Sequence, residues 1–508
     1  MPRYYETSSV RSIATSSNPA VLAFQNGASF GHVNIWAGHR ITYSFPSYGA
    51  NFAGGSAYAG GEVAAGWLPL SSDEQDAVRA ALSAWQNVAD IEFVEVPDAV
   101  SVGDLRFAFT SAFSPNELAG SYLPGFRPQA GDVWINAALQ GQSFLPGTDN
   151  FHTLLHEIGH ALGLSHPMEL PGQIRNTPPL ANVFKGIGML SVMTYDLPDH
   201  EYNTPVTPML LDVLAIQEMY GPNRTSHREA DAYSLLDSQF IWDNGGNDTI
   251  YLPSVPYGGS GLIDLRADHF SIFVYTDPAT GLPDPADHTL VSIAPGCEIE
   301  NAWVDCAGTE VYGNALDNIA VFTARGGGLF DGGDGVDTVV VQNASLADLR
   351  RGVEGWQVNA GQRDGGVLVL RHVERIGFDD KWIAFDLEAV SRVAKILGAV
   401  FGAEGLRRED YAGIGLDLTD AGASYGDLMS LALRTKLGPG FSVEQEVSLL
   451  YRNVLGSAPS AGEARFYAQL VHSGHYDTEG LAVMAADSLQ NIERIGLTGL
   501  LEHGLVYV

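Results

Sequence analysis

The 508-residue sequence predicts a multidomain α+β protein, and three observations carry that expectation. Across residues 38–222, strand-like segments precede a long apolar-faced helix and further helical pattern follows it. A glycine- and aspartate-rich texture takes over at 223–386 and includes the nonapeptide GGDGVDTVV at 332–340. From 387 to 508 the pattern is helical, in segments that each end near a glycine, as helix C-termini commonly do. A chain of this length fits two to four domains with sizeable cores. Its apolar content of 45% belongs to a folded rather than a disordered chain.

In order, residues 1–37 are rich in Ser, Ala and Asn without clear periodicity, and read as an N-terminal strap or a pro-segment. RITYSFP at 40–46 alternates like a strand. Ser71 and Glu74 have the spacing of a capping box, opening a helix to about Val88 with Val78, Ala81, Leu82 and Trp85 on one face. IEFVEV at 91–96, DLRFAF at 104–109 and DVWINA at 132–137 read as three more strands. A helix over 149–162 follows, and PMLLDVLAIQEMY at 208–220 predicts another, with Pro208 in its first turn and Gly221 past its end.

The segment 151–167, FHTLLHEIGHALGLSHP, organises the whole reading. His156, Glu157, His160, Gly163 and His166 spell H-E-x-x-H-x-x-G-x-x-H. Residues four apart share a helix face, so His156 and His160 can grip one metal ion, and Glu157 can reach a water held there. Gly163 permits a sharp left-handed turn that swings His166 back as a third ligand. Three imidazoles with an open fourth position describe a catalytic zinc rather than a structural one. His152, four before His156, has no base beside it and reads as a surface residue or a support for the ligands.

The balance of 27 basic against 60 acidic residues, net −33, repels nucleic acid and anionic membrane surfaces. Carboxylates among 58 glycines suit calcium, which takes oxygen ligands from side chains and tight turns. No run approaches transmembrane length, and the first residues contain no apolar stretch of signal-peptide size. Cys297 and Cys306 are either one disulfide or two buried thiols.

GGDGVDTVV matches the repeat of calcium-binding parallel β-rolls. Its glycines Gly332, Gly333 and Gly335 make the turn, Asp334 and Asp337 supply carboxylates, and an apolar residue faces inward. DNGGNDTI at 243–250 has the same texture, and GNALDNIAV at 313–321 and GGGLFD at 326–331 are degenerate copies. A short roll or sandwich is expected, since each turn needs stacked neighbours. VLVLRHVERIGFDDKWIAFD at 367–386 alternates like edge strands closing it, and 387–508 forms a separate all-α domain.

The 151–167 motif followed by SVMTYD at 191–196 resembles the metzincin pattern, and HEIGHALGLSHP is similar to the serralysins of peptidase family M10, secreted zinc proteases with an RTX-type calcium-binding β-roll. LLDVLAIQEMYGPN at 210–223, WDNGGNDTI at 242–250 and IENA at 299–302 extend the resemblance over roughly residues 38–340. It implies a catalytic domain of twisted mixed sheet and three main helices at 38–222, and a zinc endopeptidase acting on extracellular or cell-surface proteins. His156, His160 and His166 are its implied zinc ligands, Glu157 the general base, and Met193 the methionine of a turn below the metal. Tyr195 matches a tyrosine that ligates zinc at rest and then stabilises the oxyanion. DVWINA, with Val133, Trp134, Ile135 and Asn136, matches the edge strand that aligns substrate by strand addition.

For calcium, the resemblance implies carbonyls of Arg228, Ala230 and Ala232 with Asp243, Gly245, Gly246 and Asp248, then Glu298 and Glu300 just before the roll. This chain reads Arg228-Glu229-Ala230-Asp231-Ala232 where the family has Arg-x-Gly-Asp-Thr, and VDCAGTE at 304–310 replaces a Gly-Asp repeat. A few calcium ions are therefore expected. Serralysins leave Gram-negative cells through a type I exporter that reads an uncleaved C-terminus, and LEHGLVYV at 501–508 is similar. LYRNVLGSAPSAGEARFYAQL at 450–470 resembles a small helical domain of secreted bacterial repeat proteins. A cell-surface or S-layer protein is thus a candidate partner, beside the peptide substrate. The rival readings are a calcium-dependent surface- or matrix-binding protein with a relict zinc site, and a self-processing protease restricted to one partner.

Overall fold

The computed structural model describes residues 10–25, 31–54, 57–58, 60–167, 190–194, 204–237, 240–267, 269–323, 327–353, 355–359 and 366–508. The chain forms two compact units, the first Met1–Asp248, Ala267–Phe273 and Asp284–Ile299, the second Thr249–Arg266, Val274–Pro283 and Glu300–Val508. The first division falls after Asp248, later than the expected 222/223 boundary, because the 243–248 turn is tied back. Asn244 Nδ2 donates to the carbonyls of Asn223 and Ser226, and Trp242 Nε1 donates to Asn223.

In the first unit, strands β1 (Val10–Ala14) and β2 (His32–Trp36) form an antiparallel ribbon that the sequence pattern did not reveal. The segment between them is knitted in: Phe24 is buried and its carbonyl accepts from Ser165 N. Trp36 donates Nε1 to Ala161 O, and its own N–H donates to the hydroxyl of Tyr220. These contacts fasten the described residues of the N-terminal segment to the rest of the first unit.

Strands β3 (Arg40–Ser44), β4 (Trp67–Leu68), β5 (Glu92–Glu95), β6 (Leu105–Thr110), β7 (Ala119–Ser121) and β8 (Asp132–Asn136) make a six-stranded sheet of order β5-β3-β6-β8-β7, with β4 paired to β6. The β3, β5, β6 and β8 pairings are parallel, while β4 and β7 run antiparallel to their neighbours. Every residue of β6 and β8 is buried, as parallel strands covered on both faces must be.

Helix α1 (Ser72–Val88) opens with the expected Ser71–Glu74 capping box and buries Val78, Ala81, Leu82 and Trp85. Trp85 Nε1 donates to Leu155 O of α2 (Asp149–Leu162), which locks the two helices together. Helix α3 (Leu210–Tyr220) starts two residues later than the pattern suggested. The Asp212 carboxylate takes the N–H of Met209 and makes it the cap, leaving Pro208 outside.

The second unit begins as a parallel coil. Strands Thr249–Leu252, Asn301–Val304, Ile319–Thr323, Thr338–Gln342 and Arg375–Gly377 pair in parallel on one side, and Gly259–Asp264, Glu310–Tyr312, Gly328–Asp331 and Val367–Arg371 on the other. Ile319 pairs with Asn301 and with Thr338, steps of 18 and 19 residues, or two nonapeptides per turn. Val367–Arg371 and Arg375–Gly377 continue the coil instead of forming its edge; the antiparallel strands Trp356–Asn359 and Trp382–Ala384 cover them.

One turn of this coil is held by an amide. Asn318 stands where the intact repeat has Asp337, and it is fully buried. Its Nδ2 donates to Glu300 O and Asn314 Oδ1, each at 3.0 Å, and its Oδ1 accepts from Asn314 N at 2.7 Å. Asn318→Ala strands these groups and is expected to cost about 2–4 kcal/mol. Thermal unfolding should show the same loss with calcium and with chelator, because no cation takes part in these bonds.

Helices α4 (Leu387–Ile396), α5 (Glu409–Asp420), α6 (Tyr425–Leu437), α7 (Val443–Leu455), α8 (Ala461–His472), α9 (Thr478–Ala486), α10 (Leu489–Ile495) and α11 (Leu497–His503) follow. Ser424, Ser442 and Ser460 cap α6, α7 and α8 through capping boxes, and Gly438 and Gly456 end α6 and α7. Helices α9 and α10 are separate because Ser488 accepts from Asn491 N and starts α10. The segment is not all-α: Leu505–Tyr507 returns as a strand antiparallel to Trp382–Ala384. Leu505 and Tyr507 are buried with Val390, Val393 and Leu416 of α4 and α5. Both cysteines are free thiols, and Cys297 Sγ donates to Asp243 O. No helix among the described residues is long and apolar enough to cross a membrane.

Candidate active site

His156 and His160 project from one face of α2, one turn apart. Gly163 ends the helix at φ +112°, and a Cβ there would lie 2.9 Å from Met219 Cε and 3.1 Å from Asn34 O. Glycine is therefore required both by conformation and by space. The turn brings His166 Nε2 to 2.9 Å from the Nε2 of both His156 and His160.

The outer nitrogens settle the tautomers. His156 Nδ1 faces Val192 O at 2.8 Å and His160 Nδ1 faces Leu164 O at 2.7 Å. A carbonyl can only accept, so each Nδ1 carries the proton and each Nε2 lone pair points inward. Two inward lone pairs and the His166 nitrogen at 2.9 Å from both fit a cation, and the donor set suits zinc. Burial lowers the pKa of all three rings, that of His160 to about 4, which favours the neutral, ligating form.

Glu157 is buried beside these rings, and burial raises its carboxyl to about 7 against a lowering by the hydrogen bond from Ser121. Ser121 Oγ donates to Glu157 Oε2 at 2.8 Å. Below the helix, Met193 is fully buried, and a Cβ on Gly159 would lie 2.4 Å from its Sδ. The turn at 191–194 hangs on Asp212, which accepts from Ser191 Oγ, Val192 N and Met209 N. His152 is buried, with its ring centroid 6.3 Å from that of His156, so the surface reading is corrected; it lies outside the metal-facing triad. Tyr195 lies outside the described residues.

DVWINA, expected to be an edge strand, is not at the edge of the sheet. Val133, Trp134, Ile135 and Asn136 sit in β8, between β6 and β7, with their ladder groups already used. Trp134 packs on Phe52 and Tyr58, and Asn136 Nδ2 donates to the carbonyls of Ser114 and Glu117. The sheet ends at β5 on one side and at β7 on the other, and Ser121 of β7 touches Glu157. The AGS sequence of β7 is too short and too small to register as a strand.

For calcium, Asp243 and Asp248 do meet, joined by Asp231, whose carboxylate was not among the expected ligands. Asp231 N donates to Asp248 Oδ1, and a Cβ on Gly246 would strike Glu229 O at 2.2 Å, so the 228–232 segment crosses directly over the 243–248 turn. In the intact repeat, Gly333 and Gly335 take φ of +101° and +125°, and Gly332 could not carry a Cβ beside His372 O. Asp337 is buried, its Oδ1 accepts from Asn318 N, and its Oδ2 has no hydrogen-bond partner, so a cation fits there. Glu298 is exposed and Glu300 half-buried; neither joins a carboxylate cluster among the described residues.

A mixed sheet flanked by helices, with an HExxH helix, a third histidine past a glycine turn and a buried methionine beneath, defines a metzincin-type peptidase domain. Comparison with known proteins agrees: residues 69–171 match the matrixin family of peptidases, M10. The chain is 28% identical over 327 residues to a serralysin of Proteus mirabilis, across 55% of this chain and 60% of that one. It is 31% identical over 283 residues to metalloprotease AprA of Pseudomonas entomophila (strain L48), across 49% and 55% of the two. Serralysin G of Dickeya chrysanthemi is 28% identical over 285 residues, across 50% and 56%. The chain is thus similar to the serralysins over about half its own length, and it spans little more than half the length of these curated relatives.

Proposed function

We propose that this protein is a secreted zinc-dependent endopeptidase that hydrolyses peptide bonds of extracellular or cell-surface proteins. The observation that carries the reading is the convergence of three imidazole Nε2 atoms beside a buried carboxylate. A zinc ion held by His156, His160 and His166 supplies a Lewis acid that lowers the pKa of water from about 15.7 to about 7. An extended peptide pairs with β7, its scissile carbonyl carried to the face of α2 where Glu157 lies. Glu157 takes the proton from the attacking water as the oxygen adds to the carbonyl carbon, then passes it to the departing amine nitrogen. Ser121 holds one carboxylate oxygen and leaves the other to the water. Tyr195 belongs to this proposal as the oxyanion donor. Calcium at Asp231, Asp243 and Asp248, and at the 332–337 turn, ties the Gly-Asp turns structurally. Export by a type I system and release at the cell surface complete the reading.

Metal removal tests it. Dialysis against a zinc chelator should abolish cleavage of unfolded casein, and zinc, but not calcium alone, should restore it at one zinc per chain. A purified chain that binds zinc at no more than trace level and cleaves nothing would place it with the surface-binding proteins instead.

A further inference from the structure

The helical part of the second unit carries an apolar groove of about 200 Å³ that the protease chemistry leaves unused. Its walls are α5 and α6, with the end of the 397–401 turn at one mouth. The two helices are joined by 421–424, a connection short enough to make them antiparallel neighbours. Tyr411 and Thr435 therefore lie toward one end, and Leu418 and Leu428 toward the other. Gly415 forms the floor, where a Cβ would lie 2.9 Å from Val393, so the groove is cut to the backbone. Ile414 and Leu431 line it while remaining 52% and 46% exposed.

The two ends differ in chemistry. At one, Phe401 and Tyr411 pack with ring centroids 4.8 Å apart, each topped by a cation: Lys436 Nζ lies 5.5 Å from Phe401, and Arg408 Cζ 3.9 Å from Tyr411. Arg408 is neutralised by Asp410 at 2.7 Å, whereas Lys436 has no ion-pair partner among the described residues. Lys436 is exposed and does not line the groove itself, but its ammonium lies over Phe401, which does, and so puts a positive charge at that mouth. The far end is aliphatic. From Tyr411 to Leu418 the helix rises about 10 Å, the length of a medium alkyl chain.

The geometry points to a binding site for a single-chain anionic amphiphile, a medium-chain fatty acid, with its carboxylate at Lys436 and its alkyl chain between α5 and α6. The positive charge at one mouth and the aliphatic far end suit an anionic head with an alkyl chain. The site stands independently of the protease reading.

Calorimetric titration of the full chain with hexanoate, octanoate and decanoate tests it. Saturable one-site binding is expected, tightening about fourfold per methylene until the groove fills. Lys436→Glu should weaken decanoate about tenfold and leave decanol unchanged. Ile414→Trp, which fills the groove from its exposed rim, should remove both, and Leu431→Gln should weaken both if the tryptophan variant fails to fold. No saturable binding, or equal decanoate affinity in Lys436→Glu, overturns the assignment. So does a concentration-dependent dimer that Ile414→Trp dissolves while fatty acids fail to bind, which would give the groove to a second copy of the chain.

Discussion

Glu157→Gln is expected to lower kcat on unfolded casein by about 10³- to 10⁴-fold, with zinc content and KM unchanged. Glutamine keeps the shape of the side chain, and its carbonyl oxygen can still accept from Ser121 Oγ, the one hydrogen bond recorded at that carboxylate. What it cannot do is take a proton. The effect on stability runs the other way. Burial raises the folded carboxyl to about 7, above the unfolded value near ~4.3. The folded metal-free chain then binds more protons than the unfolded one, so the wild type loses stability as pH rises through that interval. Metal-free Glu157→Gln should therefore be at least as stable as the wild type at pH above 7 by urea unfolding. Undiminished cleavage would remove Glu157 from the chemistry; lost zinc would mean that the substitution disturbed the ligands instead.

Asp212→Ala should be nearly as damaging although Asp212 is no metal ligand. Its carboxylate is fully buried and accepts from Ser191 Oγ at 2.6 Å, Val192 N at 2.7 Å and Met209 N at 2.9 Å. Alanine leaves two buried N–H groups and a hydroxyl without partners, an expected loss of about 3–5 kcal/mol. The same turn presents Val192 O to His156 Nδ1. Loosening a support of that kind typically costs about 10- to 100-fold in metal affinity. Urea unfolding together with a zinc competition titration separates the two losses. A destabilised variant with unchanged zinc affinity would show that the turn orients His156 without help from Asp212.

Much of the site could be read because its information is local. The H-E-x-x-H-x-x-G-x-x-H spacing works through helix periodicity and one glycine turn, both decided within a dozen residues. The Ser71–Glu74 capping box and the serine caps of α6, α7 and α8 are local in the same way. Asp212 left a faint trace as the lone acid within LLDVLAIQ, a charge in an apolar run that needs buried partners. The coil of the second unit was legible most fully at 332–340, where the glycines are intact, and only as degenerate copies at 313–321 and 326–331.

Other features depend on which segments meet. DVWINA and AGS both suit an edge strand until the sheet order is known; β7 lying outside β8 passes the edge to Ala119–Ser121. Asp231 became a partner of Asp243 and Asp248 because the 228–232 segment crosses the 243–248 turn, a contact no spacing announces. Leu505–Tyr507 looked like a tail and is a buried strand, since Trp382–Ala384 offered an unpaired edge. From its sequence alone, then, this protein declared three converging histidines and the carboxylate beside them, because helix periodicity and one glycine turn write them at fixed offsets. Which strand ends the sheet, what holds the methionine turn, and where the chain's end lies were decided by long-range pairing, because a hydrogen-bonding edge or a buried carboxylate is defined by its partner.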